Sequence, residues 1–445
     1  MRELIYRGKK IRRVGFFGLG RSNLGVKEYL EGAFDGLDYT LRADGEIAAD
    51  AGRDFGRVLC GTQAYAEPYE DVIFVAPAVR RDRDGLAKMA ERGVIISSDS
   101  ELFLESAEMP VYAVTGSDGK STTVTLASMI LGAPAIGNIG VAMSSLLKRS
   151  DARCAVAELS SFQLAWQRPR VYRGVITNIS PNHLDWHHSY GEYVSAKENL
   201  LINAGERVFN LDCAMSREIM KRHAPSIVYS LDLGEKEMIK AAKADVYVGL
   251  AGEYIVANGV KILHTGAMQD KRRHNIQNLV CAIALTHGHA REERIWAVAR
   301  EFQGLSHRCE EIGCYGGVRY IDSSIDSTPK RTATTLASLD GVWVVILGGR
   351  SKGLDYGELV PALRARARLA ITTGECGREI AEVLSAEGIE CVYEADFHEA
   401  VELAASVARC GEGVILSPAS TSFDRFKNFE ERGRCFREII RNLHK

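Results

Sequence analysis

This sequence predicts an α/β fold with mostly parallel sheets, and three observations carry the prediction. Short apolar runs alternate with helix-period stretches along the chain. Two glycine-bearing turns, Gly18–Asn23 and Thr115–Thr122, each join such a run to a helical stretch. At 445 residues the chain is too long for one core and should divide into two or three domains.

Taken in order, Val14–Phe17 reads as a strand and Ser22–Leu30 as a helix. Val72–Ala76, Val94–Ile96, Val111–Val114, Ala155–Glu158 and Val175–Thr177 are further strands. Later strands are Val208–Asn210, Val318–Ile321, Trp343–Leu347, Leu369–Thr372 and Val414–Leu416. Thr122–Leu131, Tyr193–Asn199, Glu293–Phe302, Arg378–Ala386 and His398–Val407 read as helices, and His274–Asn278 opens another. Between Val246 and His264, two runs flank Asn258–Gly259, which predicts an antiparallel hairpin. Boundaries are expected near Ser106–Pro110 and Gly304–His307.

Composition is that of an ordinary globular protein, 46% hydrophobic and 26% charged. A net charge of -2 gives no field for nucleic acid or anionic membrane. The 10 cysteines form no Cys-x-x-Cys pair, which argues against zinc ribbons and redox dithiols. They read as reduced thiols in a cytoplasm. No apolar run approaches the roughly 18 residues of a membrane span, so neither signal peptide nor anchor is expected.

The sharpest motif follows the strand Val111–Val114. Thr115, Gly116, Ser117, Asp118, Gly119, Lys120, Ser121 and Thr122 then lead into a helix. Glycines let several backbone N–H groups face one anion, and the helix adds its N-terminal dipole. Lys120 would neutralise phosphates of ATP and Ser121 would ligate Mg²⁺. Only two residues separate the glycines, where the common phosphate loop has four. That spacing argues against motor and signalling ATPases.

The first turn, Gly18-Leu19-Gly20-Arg21-Ser22-Asn23, resembles a dinucleotide fingerprint with Asn23 in place of the third glycine. Asp44 follows at the distance of a ribose-binding acid. A plain turn, a dinucleotide site and a UDP-diphosphate site all fit it.

The middle segment carries Gly137-Asn138-Ile139-Gly140, then Glu158 to Gln163, then Thr177 to Asp185 with His183. Ligands of doubly wound sheets gather beyond the carboxyl ends of strands, so Glu158 and His183 should flank the crevice of Lys120. An acid beside phosphates implies an intervening cation, here Mg²⁺. On residues alone Lys197 reads as a solvated lysine. Asn275 and Asn278 could read an adenine edge, or Asn275 could cap its helix.

In this order, TGSDGKST, GNIG, ELSSFQL, NHLD, YVSAK, HNIQN, GLSHR, LGGRSKG and SPASTSFDRFKNFEERG resemble the Mur ligase family of ATP-dependent peptide-bond-forming enzymes. The likeness covers essentially the whole chain, and ELSSFQL with the last motif resembles the D-glutamate-adding members. It implies an N-terminal Rossmann-like domain (residues 1–108) for the UDP moiety. A central P-loop mononucleotide-binding α/β domain (109–304) would bind ATP, and a C-terminal Rossmann-like domain (305–445) the amino acid. The implied reaction joins D-glutamate to UDP-N-acetylmuramoyl-L-alanine through an acyl phosphate, in cytoplasmic peptidoglycan precursor synthesis by a monomer.

Residue by residue, the resemblance puts Mg²⁺ at two sites, one with Ser121 and one with Glu158, His183 and an N-carboxylated Lys197. Asn138, Ser160 and Gln163, with Gly18, Leu19, Gly20, Arg21 and Ser22, would meet the UDP substrate. Asn275, Asn278 and Asp322 would face the nucleotide, and Arg308 the γ-phosphate after domain movement. His183, Lys352, Ser422 and Phe429 would frame D-glutamate. The family's Asp-Ser-Lys-Ala-Thr-Asn reads here as Asp322-Ser323-Ser324-Ile325-Asp326-Ser327. Ser324 replaces the lysine, and Asp326 should repel a dicarboxylate unless Lys330 or Arg331 compensates. A nicotinamide dehydrogenase would explain only the first glycine turn. Other ligases of the family, adding a diamino acid or extending folate, would not be expected to carry ELSSFQL with FKNFEERG.

Overall fold

The computed structural model describes residues 3–45, 47, 52–148, 151–184, 186–351 and 353–445. Lys352 and Asp185, both within motifs named above, lie outside the described residues. The chain forms two compact units, Met1–Phe302 and Gln303–Lys445.

The first unit holds two α/β sheets. Up to Ser97 a five-stranded parallel sheet runs in the order Arg57–Cys60, Asp38–Ala43, Arg13–Phe17, Val72–Val75, Ile95–Ser97. The order reverses at Arg13–Phe17, so the turn after Phe17 sits at a topological switch point. Asp38–Ala43 is a strand that the sequence reading passes over. Its alternation is hidden by Arg42, a charged residue with no exposed side-chain surface, which pairs with the equally buried Glu70. Asn23, at the third-glycine position, is also buried and donates to the carbonyls of Phe17, Gly18 and Phe74. It ties the helix Arg21–Ala33 to two strands.

From Val111 a nine-stranded sheet has Val111–Thr115, whose five residues are all buried, as the third strand from its Ala135–Gly137 edge. Its neighbours Ala155–Glu158 and Val171–Ile176 are parallel to it, with Glu158 beside Val114 and Ile176 beside Thr115. Three functional stretches therefore leave the sheet at the carboxyl ends of neighbouring parallel strands. The helices Lys120–Leu131 and Arg273–Thr286 cover one face, burying Val124, Leu126, Ile130, Leu279, Val280 and Ile283. The expected hairpin forms at Asn258–Gly259, joining Tyr254–Ala257 to Val260–His264. It is one strand larger than expected: Val246–Ala251 pairs antiparallel with it and parallel with Ile227–Ser230. The extra turn, at Gly252, carries a positive φ of 60°.

The second unit is a six-stranded sheet in the order Glu310–Tyr315, Val318–Asp322, Gly413–Leu416, Trp343–Gly348, Ala367–Thr373, Cys391–Tyr393. All neighbours are parallel except the first pair. Helices on both faces bury separate apolar clusters.

Candidate active site

In the first unit the phosphate loop is held by the loop that follows the neighbouring strand. The Ser117 N–H donates to the Asn178 carbonyl (2.8 Å), and the Asp118 N–H to Asn178 Oδ1 (2.9 Å). Thr177 Oγ1 donates to the Asp118 carbonyl at 2.6 Å. Ser117 Oγ lies 2.8 Å from the Tyr193 hydroxyl. Gly116 and Gly119 are required by this path. Their φ values are 151° and 76°. A Cβ on Gly116 would lie 1.9 Å from Thr177 Oγ1, and one on Gly119 2.3 Å from Asn278 Oδ1.

Two lysines converge on one carbonyl. Lys120 Nζ donates to the Gly116 and Ser117 carbonyls at 2.9 and 2.8 Å. Lys197 Nζ donates to the same Gly116 carbonyl at 2.7 Å. Lys197 is not solvated, as its residues alone suggest, but 2% exposed. Burial pulls its pKa well down, the Lys120 cation adds to that, and Asp118 and Glu158 oppose it. The amine is thereby driven towards its neutral, nucleophilic form.

Glu158 is 1% exposed at the end of its strand. Its Oε1 accepts from Asn138 Nδ2 at 3.1 Å, whereas the buried Oε2 has no protein partner. A buried carboxylate with one bare oxygen is costly unless a cation completes it. Ser121 and Thr122 begin the adjoining helix, each 7% exposed. Among the described residues no three His, Cys, Asp or Glu side chains form a ready metal cage. A cation beside Glu158 would take this bare carboxylate oxygen together with oxygens from a ligand, a hard-oxygen donor set.

The other expected residues take varied places. Asn138 is joined to Glu158 twice, since its N–H also donates to the Glu158 carbonyl. Arg21 donates to the carbonyls of Asn138 and Gly140, both at 3.1 Å, so the first glycine turn reaches the GNIG turn. Ser160 and Gln163 bond to each other in a capping box that starts the helix Ser161–Leu164. His183 is exposed, with a φ of 54° and its ring centroid 4.9 Å from that of Phe162. Asn278 abuts Gly119, and Asn275 lines a small pocket with Leu126, Met268, Asp270, Leu279 and Phe302. Asp270 was not among the expected residues; a single acid before a basic run carries no motif.

In the second unit two acids of the departing motif are enclosed. Asp322 faces inward with no exposed surface: Oδ2 meets His307 and Arg437, and Oδ1 accepts from the Ser324 N–H. Asp326 is 4% exposed and accepts from the Ser417 hydroxyl at 2.8 Å, so its charge is not displayed to a dicarboxylate. Ser324 Oγ donates to the Phe429 carbonyl and accepts from Arg432 Nε. Arg432, missed in the sequence, is 2% exposed and otherwise donates to the carbonyls of Ser324, Gly348, Ser420 and Thr421. Burial pulls its pKa down to about 10 against the opposing fields of Asp424 and Asp322. Ser422 is buried, and Phe429 opens the last helix. Arg331 is exposed and donates to the Ile325 carbonyl.

Comparison with known proteins identifies the family and the fold. A model of the Mur ligase middle domain matches residues 114–286, and one of the Mur ligase glutamate ligase domain matches 307–420. The UDP-N-acetylmuramoylalanine–D-glutamate ligase of Ruminiclostridium cellulolyticum is 32% identical over 98% of this chain and 97% of its own. That of Acetivibrio thermocellus is 35% identical over 84% and 83%. Among solved structures, the UDP-N-acetylmuramate–alanine ligase of Thermotoga maritima shares the fold. Its TM-score is 0.60 at 18% identity, covering 97% of this chain and all of that one.

Proposed function

The chain belongs to the Mur ligase family, and from that premise we propose that it joins D-glutamate to UDP-N-acetylmuramoyl-L-alanine, driven by ATP. The observation that carries the chemistry is the convergence of Lys120 and Lys197 on the Gly116 carbonyl, in a site that also holds the half-partnered Glu158. Such a site binds a polyphosphate with its cation and stabilises charge on a transferring phosphoryl group.

The alanyl carboxylate attacks the γ-phosphorus of ATP, forming an acyl phosphate and releasing ADP. The amine of D-glutamate, as its free base, then attacks the acyl carbon, the C–O bond to phosphate breaks, and inorganic phosphate leaves with the proton that the nitrogen sheds. Lys120 and Arg308 offset charge on the phosphoryl group. The backbone N–H groups of Gly116 to Thr122 cradle the polyphosphate. Mg²⁺ would be held by Ser121 at one site, and by Glu158, His183 and a Lys197 carbamate at the other. When bound it neutralises phosphate charge. The bare Oε2 of Glu158 and the burial of Lys197 support that assignment. The carbamate arises when the neutral Nζ attacks the carbon of CO₂ and loses a proton.

Residues 1–108 are assigned to the UDP moiety, 109–304 to ATP and 305–445 to the amino acid. Asn138, with the Gly18–Ser22 turn, is assigned to the UDP substrate, and Asn275 and Asn278 to the nucleotide. Ser422, Phe429 and Lys352 are assigned to D-glutamate. No described helix is long and apolar enough to cross a membrane. The reading places the enzyme in the cytoplasm as a monomer acting on small molecules.

The test is ADP release by purified protein with ATP, Mg²⁺, UDP-N-acetylmuramoyl-L-alanine and a panel of amino acids. Release should require the UDP substrate and be supported by D-glutamate. Release with another amino acid and none with D-glutamate would overturn the substrate while leaving the reaction class.

A further inference from the structure

Arg308 sits in a turn of uncommon backbone. Gly304, His307 and Cys309 all have positive φ, at 104°, 63° and 47°. Two residues with side chains, both in the left-handed region, thus flank Arg308 directly. Such conformations persist only where the surroundings over-determine them. Here the His307 N–H donates to Glu310 Oε2 at 2.8 Å, and its Nδ1 lies 2.7 Å from Asp322 Oδ2. The His307 carbonyl accepts from the Ile325 N–H at 3.2 Å. The Cys309 N–H donates to Ser323 Oγ at 3.0 Å.

Both acids that grip His307 are themselves gripped by one guanidinium. Arg437 Nε donates to Asp322 Oδ2 at 3.0 Å, and its NH2 group pairs with Glu310. Arg437 lies on the helix Phe429–Leu443, one turn after Gly433. Gly433 leaves room for the imidazole, because a Cβ there would lie 2.1 Å from His307 Nδ1. His307 is 6% exposed and Asp322 not at all, so water has little access to replace these bonds.

We propose that Arg437 is a positioning residue for the ligation reaction. It locks Glu310 and Asp322 onto His307 and so fixes the turn that aims Arg308, without touching substrate itself. The proposal rests on the reading above that Arg308 acts on the transferring phosphoryl group.

The test is a double-mutant cycle on the full-length enzyme with Arg308→Ala, Arg437→Ala and the conservative Arg437→Lys. In the native background Arg437→Ala should lower kcat by about 10- to 100-fold and leave the KM for ATP unchanged. Arg437→Lys, which can reach one acid, should restore part of the loss. In the Arg308→Ala background neither substitution should lower kcat further, because the residue being aimed is gone. Equal losses in both backgrounds would overturn the proposal, as would a native-like kcat for Arg437→Ala. Should Arg437→Ala not fold, the cycle is read with Arg437→Lys alone by the same criteria. Full kcat in Arg308→Ala itself would instead sink the phosphoryl reading of Arg308, and the proposal with it.

Discussion

Glu158 shows how a single side chain can be built for function at the cost of stability. Its buried Oε2 lacks a protein partner, which disfavours the unliganded fold by about 1–3 kcal/mol. Neutralising it should therefore separate stability from activity. Glu158→Gln is expected to keep or raise the thermal midpoint of the unliganded protein. It should also lower kcat on the order of 10²-fold and raise the Mg²⁺ needed for half-activity. Melting curves and Mg²⁺ titrations of the ligation rate read both; an unchanged Mg²⁺ requirement would remove Glu158 from the cation site. The sequence shows Glu158 as an acid at a strand end, and that much is legible. It does not show that Lys197, 39 positions later in the chain, is buried with its amine on Gly116. Burial is a tertiary property, and the local helix around Lys197 looks like any amphipathic surface helix. Arg432 was missed for the same reason. A charge in the sequence reads as solvated or catalytic until packing shows it enclosed by carbonyls.

At the scale of elements, strand ends are where the sequence speaks most clearly. The order strand, glycine turn, Lys-Ser-Thr helix admits few structures, and Val111–Thr115 with Lys120–Leu131 follows it. Elements whose pairing depends on buried charge were harder to read, as Asp38–Ala43 illustrates through Arg42 and Glu70. Another such fastening joins the start of Arg13–Phe17 to the residue before Val72–Val75. Asp71 accepts from the N–H groups of Arg12 and Arg13 and from the Arg13 guanidinium, at 2.9 to 3.0 Å. Burial opposes its ionisation, but those donors overcome it and hold the carboxyl at about 2. Its folded pKa thus lies below the unfolded value of about 3.9. The stabilisation is complete above roughly pH 4 and is lost as pH falls through about 2. Asp71→Asn should lower stability at pH 7 by about 1–3 kcal/mol and flatten the pH dependence of unfolding between about 4 and 2. An acid limb as steep as that of the parent protein would show that Asp71 does not contribute.

Across the whole molecule, the α/β class and the parallel sheets were legible because strand–helix alternation persists from Val14 to Leu416. The three-stranded antiparallel extension at Val246–His264 was read one strand short, since the turn at Gly252 lacks the Asn-Gly signal that marks the next one. The departures around Ser324 and Asp326 read in the sequence as an acid set against a dicarboxylate substrate. Packing makes them part of an enclosed network with Arg432 and Ser417 instead. What the chain as a whole must do is couple ATP cleavage to amide formation, and the central claim is that an acyl phosphate links the two. The direct measurement uses UDP-N-acetylmuramoyl-L-alanine with both alanyl carboxylate oxygens replaced by ¹⁸O, together with ATP, Mg²⁺ and D-glutamate. If the carboxylate attacks the γ-phosphorus, one ¹⁸O per turnover appears in inorganic phosphate and the other stays in the new amide carbonyl. Inorganic phosphate free of ¹⁸O, or ¹⁸O found in AMP, would contradict it.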